Sequence, residues 1–498
     1  MHLMVFAILV PFFAGAFLIL ANQLASYLQR MISIGSSILL LVVALLLLTY
    51  ALSGEYFIYQ LGSWQAPFGI VLVLDQLSAM MLVLIAGLAL VCSVYACLGD
   101  DARGAHFHAL FQFQIMGLSG AVLTGDLFNL FVFFEILLIA SYALLLHGGG
   151  RDRSRAGLRY VIINLVGSAL FLVALGVLYG VTGTLNMADM AIKVEQLSQD
   201  DKPLVHAAAA LLLVVFGIKG ALLPLLFWLP RAYASATATV AALFAIMTKI
   251  GIYSMVRVFF LVFGGEEGIH LSLWQWVWPL AIATMVLGAV GALGAQSLRG
   301  LTAWMVIISV GTLMAVISEA TIASLASALL YLAHSTLLTA AFFLLSDVIE
   351  RYRPGCRDYF VPGPKTQDRV MLGVLFFTAA VAFAGVPPLS GFISKVWILS
   401  HVDSLNGYRV FWPTLLLSSL VVLVALSRAG SALLWRQNEQ QVSQAKAPYM
   451  ASILVGLLLL LSVLFTTFAE PLMQFAQSTA TQVMLTERYL QPFVIGDI

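Results

Sequence analysis

Residues 125–142 decide the fold: Gly-Asp-Leu-Phe-Asn-Leu-Phe-Val-Phe-Phe-Glu-Ile-Leu-Leu-Ile-Ala-Ser-Tyr. This stretch predicts an apolar helix with a single carboxylate, Glu135, in its middle. At about 1.5 Å of rise per residue, Glu135 lies roughly 13 Å from Asp126 and roughly 18 Å from His147, near the midplane of a bilayer. A carboxylate at that depth is costly, so Glu135 needs a charged partner or a function.

The composition places the whole chain in a membrane. Hydrophobic residues make up 62% of the 498 residues and charged residues only 9%, with a mean hydropathy of +1.02. Soluble domains carry about a quarter charged residues, so the chain is predicted to be a polytopic membrane protein. The net charge of +1 and the absence of a basic cluster interleaved with aromatics argue against nucleic-acid binding.

Apolar runs of about 18 residues or more predict an all-α protein with about fourteen transmembrane helices. The predicted spans are residues 2–22, 32–53, 76–98, 107–124, 126–147, 157–181, 205–229, 234–262, 273–294, 299–318, 322–348, 370–400, 412–436 and 449–475.

Proline interrupts two of these spans close to a lysine. Pro224 follows Lys219 in the seventh span, and Pro387 and Pro388 precede Lys395 in the twelfth. Proline removes a backbone donor and clashes with the preceding turn, so both helices are predicted to break at membrane depth. Such breaks are tolerated where they line a polar cavity.

The two broken spans are separated by an odd number of crossings and therefore run in opposite directions, as in transporters with inverted repeats. This predicts three N-terminal helices in residues 1–106 and a first five-helix repeat in 107–262. A second repeat is predicted in 263–436, and a last helix and tail in 437–498.

Orientation follows from the distribution of the 24 lysine and arginine residues. With the N-terminus outside, 16 of them lie in or near inside loops, 4 lie outside and 4 lie within spans, so both termini are predicted outside the cytoplasm. The inside set is Arg30, Arg103, Arg151, Arg153, Arg155, Arg159, Arg231, Arg299, Arg351, Arg353, Arg357, Lys365, Arg369, Arg428, Arg436 and Lys446.

Glu135 and Lys219 form the strongest candidate pair. Burial pushes a lysine toward its neutral form and a nearby carboxylate pushes it toward its charged form, so this balance allows a proton to move. The alternative is a static ion pair that only fixes helix packing.

Three further ionisable residues lie inside predicted spans. Lys249 is near the middle of the eighth span, either close to Glu135 or lining a hydrated cavity, and the alternative is a side chain that reaches the interface. His334 is suited to relay protons near neutral pH, or is a packing residue. Lys395 is expected to end the proton path of the second repeat, in the role that Lys219 has in the first repeat. The alternative is a lysine side chain that reaches the outer surface.

Other motifs are weaker. His106 and His108 lack a third ligand nearby in the sequence, so no metal site is predicted. Residues 148–150 are three glycines followed by Arg151, Asp152 and Arg153, but the P-loop lysine is missing, which favours a flexible, positively charged turn over a phosphate site. We find no haem, flavin, nucleotide or iron–sulfur motif, so no cofactor is predicted.

Several of these segments resemble a known family. The helix of Glu135, residues 217–224 (Gly-Ile-Lys-Gly-Ala-Leu-Leu-Pro), Lys249, His334 and residues 387–395 (Pro-Pro-Leu-Ser-Gly-Phe-Ile-Ser-Lys) are similar to the antiporter-like subunits shared by Mrp cation/proton antiporters and respiratory complex I. The resemblance extends over nearly the whole chain. Residues 126–130, 133–135 and 139–142 most resemble the D-type subunits of the Mrp branch.

The resemblance implies a proton-translocating subunit of a multisubunit Na⁺/H⁺ antiporter in a bacterial plasma membrane. It implies that Glu135 and Lys219 tune protonation, that Lys249 and His334 carry protons laterally, and that Lys395 connects to the far side. The implied partners are other Mrp subunits, protons and Na⁺.

Three other functions remain open from the sequence. The chain could be a proton-pumping membrane subunit of a complex I-type NADH-quinone oxidoreductase or related hydrogenase; some complex I branches carry glutamate where Lys395 stands, which argues against those branches but not all of them. A self-sufficient transporter of an organic substrate would need more polar specificity groups at the midplane. A scaffold subunit with an inactive channel is disfavoured because every buried ionisable position is occupied.

Overall fold

The computed structural model describes residues 2–21, 23–64, 66–265, 268–366, 368–402, 404, 406–442, 445 and 447–495, and for 437–442 and 492–495 it describes the backbone only. Lys446, one of the residues used to predict the orientation, lies outside the described residues. Nineteen α-helices and four short β-strands occur in the described part.

The helices are α1 (Leu3–Leu20), α2 (Ser26–Ala51), α3 (Gln76–Ala96), α4 (Phe107–Leu123), α5 (Leu127–Leu146), α6 (Arg151–Thr182), α7 (Met187–Glu195), α8 (Lys202–Gly220), α9 (Leu229–Ser235), α10 (Ala238–Leu261), α11 (Ile269–Gly294), α12 (Leu298–Ile317), α13 (Ile322–Tyr352), α14 (Arg369–Ala384), α15 (Ser390–His401), α16 (Trp412–Gly430), α17 (Tyr449–Thr467), α18 (Ala469–Met484) and α19 (Glu487–Ile495). The strands are β1 (Phe57–Gln60), β2 (Val71–Leu74), β3 (Gly363–Lys365) and β4 (Gln437–Val442); β1 and β2 pair antiparallel, and β3 and β4 pair parallel.

The predicted all-α membrane fold is confirmed. In the described residues, twelve helices are long and apolar enough to span a membrane, and α4 and α14 are shorter apolar helices. The last predicted span differs from the structure, because α17 ends at Thr467 and a separate helix, α18, begins at Ala469. Neither the β1–β2 hairpin nor the amphipathic helix α7 was predicted from the sequence.

Both spans in which proline lies close to a lysine are interrupted. α8 ends at Gly220, Ala221 adopts a left-handed conformation with φ of 60°, and Pro224 lies in the gap before α9. α14 ends at Ala384, Gly385 has φ of 82°, and the two prolines lie in the gap before α15. Lys219 therefore precedes its break, whereas Lys395 follows its break.

Two small backbone motifs in the two halves of the chain match each other. Asp126, which caps α5, forms an isolated antiparallel bridge with Asn186, and Ser297, which caps α12, forms one with Tyr359. In each case the first residue of the helix also donates its N–H to the partner segment, from Leu127 to the Leu185 carbonyl and from Leu298 to the Asp358 carbonyl.

The core lies around α10 and α13. Every residue of α10 is buried, and the most apolar part of α13 is entirely buried. Gly251 of α10 lies against the end of α8, where an added Cβ would stand 2.7 Å from the backbone nitrogen of Gly220. This close approach, which requires glycine, holds the interrupted end of α8 next to the central helix.

Candidate functional site

Glu135 and Lys219 lie near each other but do not form a direct salt bridge. The Ser168 hydroxyl on α6 donates a hydrogen bond to Oε1 of the half-buried Glu135. Lys219 is 5% exposed, and its Nζ donates to Oδ1 of Asn164, also on α6, at 3.3 Å. The Glu135 carboxylate acts on the ammonium electrostatically, across α6 side chains that hold both groups in place.

Other residues satisfy the backbone at the break beside Lys219. The Trp228 indole N–H donates to the Ile218 carbonyl at 3.1 Å, and the Leu223 N–H donates to Thr284 Oγ1 at 3.0 Å. Because these side chains serve the freed peptide groups, the ammonium of Lys219 is not needed to end the helix.

Lys249 is fully buried on α10, and its Nζ donates to the Ser309 hydroxyl of α12 at 2.9 Å. The contact with Ser309 places Lys249 against α12, and no hydrogen bond or ion pair joins it to Glu135 in the described residues.

A row of hydroxyl groups that was not predicted from the sequence leads onward from Lys249. Ser309 and Thr312 are three residues apart on α12 and so share one face. The Thr312 hydroxyl donates to the Ile308 carbonyl of its own helix, and its side chain lies near the buried Tyr331 of α13. The Tyr331 ring centroid lies 6.0 Å from that of His334. In the sequence these residues appear only as polar positions at helical spacing within two apolar helices. That spacing does not identify which helix they face.

His334 is 4% exposed and continues this row toward the second break. Its Nδ1 lies 2.7 Å from the Ser390 hydroxyl at the start of α15, and Ser390 Oγ lies 2.6 Å from Ser462 Oγ on α17. Lys395, on the same helix as Ser390, acts on His334 electrostatically.

Lys395 is half-buried and directly caps the second break. Its Nζ donates to the carbonyls of Phe383 and Ala384, at 3.1 and 2.9 Å, and to Ser419 Oγ at 2.9 Å. A Cβ added at Gly385 would stand 2.7 Å from Lys395 Cδ, so glycine at this position leaves room for the lysine stem. The ammonium neutralises the negative end of α14 as well as filling the site.

The structure places the five predicted residues in three neighbourhoods. Glu135 and Lys219 share the α6 side chains at one end, Lys249 faces α12 in the centre, and His334 and Lys395 converge on the start of α15. In the described part of the chain none of the three lysines is in direct contact with a carboxylate.

The surroundings of His108 differ from the expected solvated loop. His108 is 4% exposed, and its ligand atoms lie within 4.8 Å of those of Cys97 and Asp101, so a third candidate metal ligand exists that the sequence did not reveal. Arg30, however, donates to both carboxylate oxygens of Asp101, at 2.6 and 3.0 Å. A metal ion would have to displace this guanidinium. His106 is exposed.

Comparison with known proteins supports one family. Residues 124–423 match the family described as NADH:quinone oxidoreductase/Mrp antiporter, TM. The chain is 38% identical to the D-type subunit of a probable K⁺/H⁺ antiporter of Rhizobium meliloti, with 97% of this chain and 96% of that protein covered. It is 36% identical to the D-type subunit of a Na⁺/H⁺ antiporter of Alkalihalophilus pseudofirmus, with 98% and 99% covered.

Solved structures share the fold. A chain in the Mrp complex from Dietzia sp. superposes with a TM-score of 0.87 at 24% identity, covering 98% of both chains. A chain of respiratory complex I from Thermus thermophilus gives a TM-score of 0.75 at 25% identity, covering 96% of this chain and 99% of that one.

Proposed function

Because the chain belongs to the NADH:quinone oxidoreductase/Mrp antiporter family, we propose that it moves protons along the buried row from Glu135 to Lys395. The chain is a subunit of a multisubunit cation/proton antiporter, and its partners are the other subunits of an Mrp-type complex. It is a multi-pass membrane transporter subunit rather than an enzyme. We place the complex in the bacterial plasma membrane.

Each residue has a distinct role in this proposal. Glu135 and Lys219 set the protonation balance at one end. Lys249 receives the proton in the centre, and the Ser309, Thr312 and Tyr331 hydroxyls connect it to His334. Lys395 connects the row to the far side of the membrane.

The absence of direct ion pairs carries the proposal. Within the described spans, Lys219, Lys249 and Lys395 donate to amide, hydroxyl or carbonyl oxygens and not to carboxylates. A buried ammonium held this way can release and regain a proton without first breaking a salt bridge, whereas a structural lysine is normally paired with a carboxylate.

We also propose two inverted repeats, residues 107–262 and 263–436, between the N-terminal helices of 1–106 and the C-terminal part of 437–498. The bridges at Asp126 and Ser297 support this division, since each joins the start of an equivalent helix to an equivalent loop. An odd number of crossings separates α5 from α12, so the two motifs lie on opposite faces.

Both termini are proposed to lie outside the cytoplasm, with residues 151–159, which form the first turns of α6, and residues 351–369 inside. Ser154, in the first turn of α6, and Glu195, at the end of α7, are both exposed. Cysteine introduced at either position, in a chain with its native cysteines replaced, is labelled from intact cells with an impermeant reagent. Labelling at 195 alone is expected, and labelling at 154 alone would reverse the orientation.

Lys249→Ala tests the proton route itself. Everted vesicles that contain the assembled complex are assayed by dequenching of a pH-sensitive dye, driven by Na⁺ or by K⁺. Both cations are used because one relative is named as a subunit of a K⁺/H⁺ antiporter and the other as a subunit of a Na⁺/H⁺ antiporter. Lys193→Ala is the control, since Lys193 pairs with Asp189 outside the spans. Loss of antiport only in Lys249→Ala is expected, and full activity of this variant with both cations would overturn the route.

A further inference from the structure

A large cavity rich in arginine opens on the face that carries the first turns of α6 and residues 351–359. Its volume is about 1040 Å³, and eight of the chain's 24 lysine and arginine residues line it. We call it the arginine cavity; its arginines are Arg103, Arg151, Arg153, Arg155, Arg159, Arg231, Arg299 and Arg357, and its carboxylates are Asp152, Glu350 and Asp358.

Three of these arginines already have protein partners. Arg299 contacts Glu350 at 2.7 Å, Arg103 contacts Asp100 at 3.1 Å, and Arg153 donates to the Ser235 carbonyl at 2.8 Å. Asp358 is engaged too, because its carboxylate accepts the backbone N–H of Arg299 at 2.8 Å. These contacts build the wall of the cavity but leave most of its positive charge uncompensated.

Five guanidinium groups have no side-chain partner within the described residues: Arg151, Arg155, Arg159, Arg231 and Arg357. Arg151, Arg155 and Arg159 are spaced four residues apart along the first turns of α6, so they project from one face of the helix. Like charges at this spacing repel one another and weaken a helix, unless an anion between them is shared. The buried Nε of Arg299 also lacks a hydrogen-bond partner in the described residues.

The N-terminus of α6 adds to this positive field. Gly150 caps the helix without a side-chain hydrogen bond, and both Gly150 and Gly149 line the cavity. The first amides of a helix attract anions, and glycine lets a ligand approach the backbone closely. The Gly-Gly-Gly-Arg-Asp-Arg segment thus contributes to a basic cavity although it lacks the P-loop lysine.

We propose that the arginine cavity binds a phosphate group. Arginine is suited to phosphate because its planar guanidinium donates two parallel hydrogen bonds. Every basic residue that lines the cavity is an arginine, and none is a lysine. Both halves of the chain line the cavity, with α6 and α9 on one side and α12, the end of α13 and the loop after it on the other. A phosphate bound there would tie the two halves together.

An exposed apolar stripe indicates that the phosphate belongs to a lipid. Leu158 lines the cavity and is 62% exposed, and Ile162, Leu165 and Val166 continue from it along the outer face of α6 with exposures of 49–62%. An acyl chain would lie along this stripe while its head group occupies the arginines. The same arginines would also accept a free phosphate, so the test must separate the two sources.

The positive-inside tendency alone would place basic residues on this face without grouping them in a cavity. Lys365, Arg369 and Arg436 provide a matched control, because they are exposed on the same face but do not line the cavity. The cavity variant carries Arg155→Gln, Arg159→Gln and Arg231→Gln, and the control variant carries Lys365→Gln, Arg369→Gln and Arg436→Gln. Both lose three positive charges.

The measurement uses the whole complex, purified and washed in neutral detergent. Binding is titrated with micelles containing phosphatidylglycerol, with phosphatidylcholine micelles and with radiolabelled inorganic phosphate. We expect the complex with the wild-type chain and the control variant to bind phosphatidylglycerol equally, and the cavity variant to bind it about tenfold more weakly or worse, since each charged hydrogen bond contributes appreciably. A triple Arg→Lys cavity variant keeps the charge and should bind with intermediate affinity.

Each outcome decides the proposal. If inorganic phosphate binds the wild-type complex and the control variant equally but binds the cavity variant more weakly, the cavity is a phosphate site that is filled from solution. Equal phosphatidylglycerol binding by the cavity and control variants overturns the site. Release of a neighbouring subunit from the cavity variant, without a change in phosphatidylglycerol binding, would instead assign the arginines to a protein interface and also overturn it.

Discussion

The two interrupted helices use their lysines differently. At the first break, Trp228 and Thr284 satisfy the freed backbone, and the Lys219 ammonium has one acceptor, Asn164, at 3.3 Å. At the second break, the Lys395 ammonium itself donates to the carbonyls that end α14 and to Ser419. If protons move along the proposed route, the first half separates helix termination from proton exchange, and the second half assigns both to one side chain.

This difference decides what a substitution can reveal. A change at Lys219 removes a titratable group while the break keeps its own hydrogen bonds. A change at Lys395 removes a titratable group and a helix cap together, so lost transport there does not by itself identify proton exchange.

Lys219→Arg should have the largest effect on transport. Arginine keeps the positive charge beside Glu135 but does not release its proton in a protein, so a residue that must exchange protons fails. We expect antiport in everted vesicles to fall by about 100-fold, the usual lower range for losing a positioned proton donor.

The control for this variant is Lys193→Arg, whose lysine pairs with Asp189 outside the spans. Immunoblotting for the other subunits establishes that both complexes assemble. Near-normal antiport by an intact Lys219→Arg complex would exclude proton exchange at Lys219.

Glu135→Gln should have the next largest effect. Glutamine can still accept the Ser168 hydroxyl hydrogen, so the helix contact is kept while the charge that acts on Lys219 is lost. A change of one pKa unit at a partner alters its protonation tenfold, and we expect antiport to fall about tenfold across the working pH range. Dye dequenching is measured across pH.

Glu135→Asp keeps the charge on a side chain one methylene shorter and should retain part of the activity. Glu195→Gln, at an exposed carboxylate, serves as the control. Wild-type transport by Glu135→Gln at every pH would reduce Glu135 to a packing residue.

The sequence predicted features that depend on local chemistry. Proline next to lysine inside an apolar run predicted both interruptions, because a missing N–H and a steric clash act within one turn. Buried charges in apolar helices identified the five ionisable residues, because burial of a charge is costly wherever the helix packs.

Features that depend on which helices are neighbours were not predictable in the same way. Ser309, Thr312 and Tyr331 look like ordinary polar residues until α12 and α13 are placed beside α10. The difference between Lys219 and Lys395 also needed the structure, since only the contacts show that Lys395 donates to the carbonyls that end α14 whereas Lys219 donates to Asn164 of α6. The β1–β2 hairpin was missed because two four-residue strands give little signal beside long apolar spans.

Lys395→Met should destabilise the complex more than Lys219→Met, although both should lose antiport. Methionine fills similar space but leaves the Phe383 and Ala384 carbonyls without the ammonium donor, and an unsatisfied buried acceptor costs about 1–3 kcal/mol. Lys219→Met leaves the first break intact because Trp228 remains. The thermal unfolding midpoints of the purified complexes are compared, and equal midpoints would contradict the capping role of Lys395.

The smallest expected effect concerns the caps that begin α5 and α12. Asp126, which lies just before the span of α5, accepts the Asn129 N–H at 2.7 Å and Ser297 accepts the Gly300 N–H at 3.1 Å, so of these two caps only the first is titratable. Burial raises the pKa of Asp126 from 3.8 to about 6, although backbone hydrogen bonds act in the opposite direction. The folded state therefore binds this proton more tightly than the unfolded chain does.

Asp126 consequently contributes stability that is fully present below about pH 4 and is lost as the pH rises through about 6. Asp126→Asn keeps an oxygen for the Asn129 N–H and removes the titration, so its thermal midpoint should gain about 1–2 °C relative to wild type between about pH 4.5 and about pH 7.5. Ser297→Ala should lower the thermal midpoint, and the decrease should be equal at about pH 4.5 and at about pH 7.5, because a serine hydroxyl does not titrate in this range. If the difference between Asp126→Asn and wild type did not change with pH, the two caps would be electrostatically equivalent, and the contrast between the halves would rest on their lysines alone.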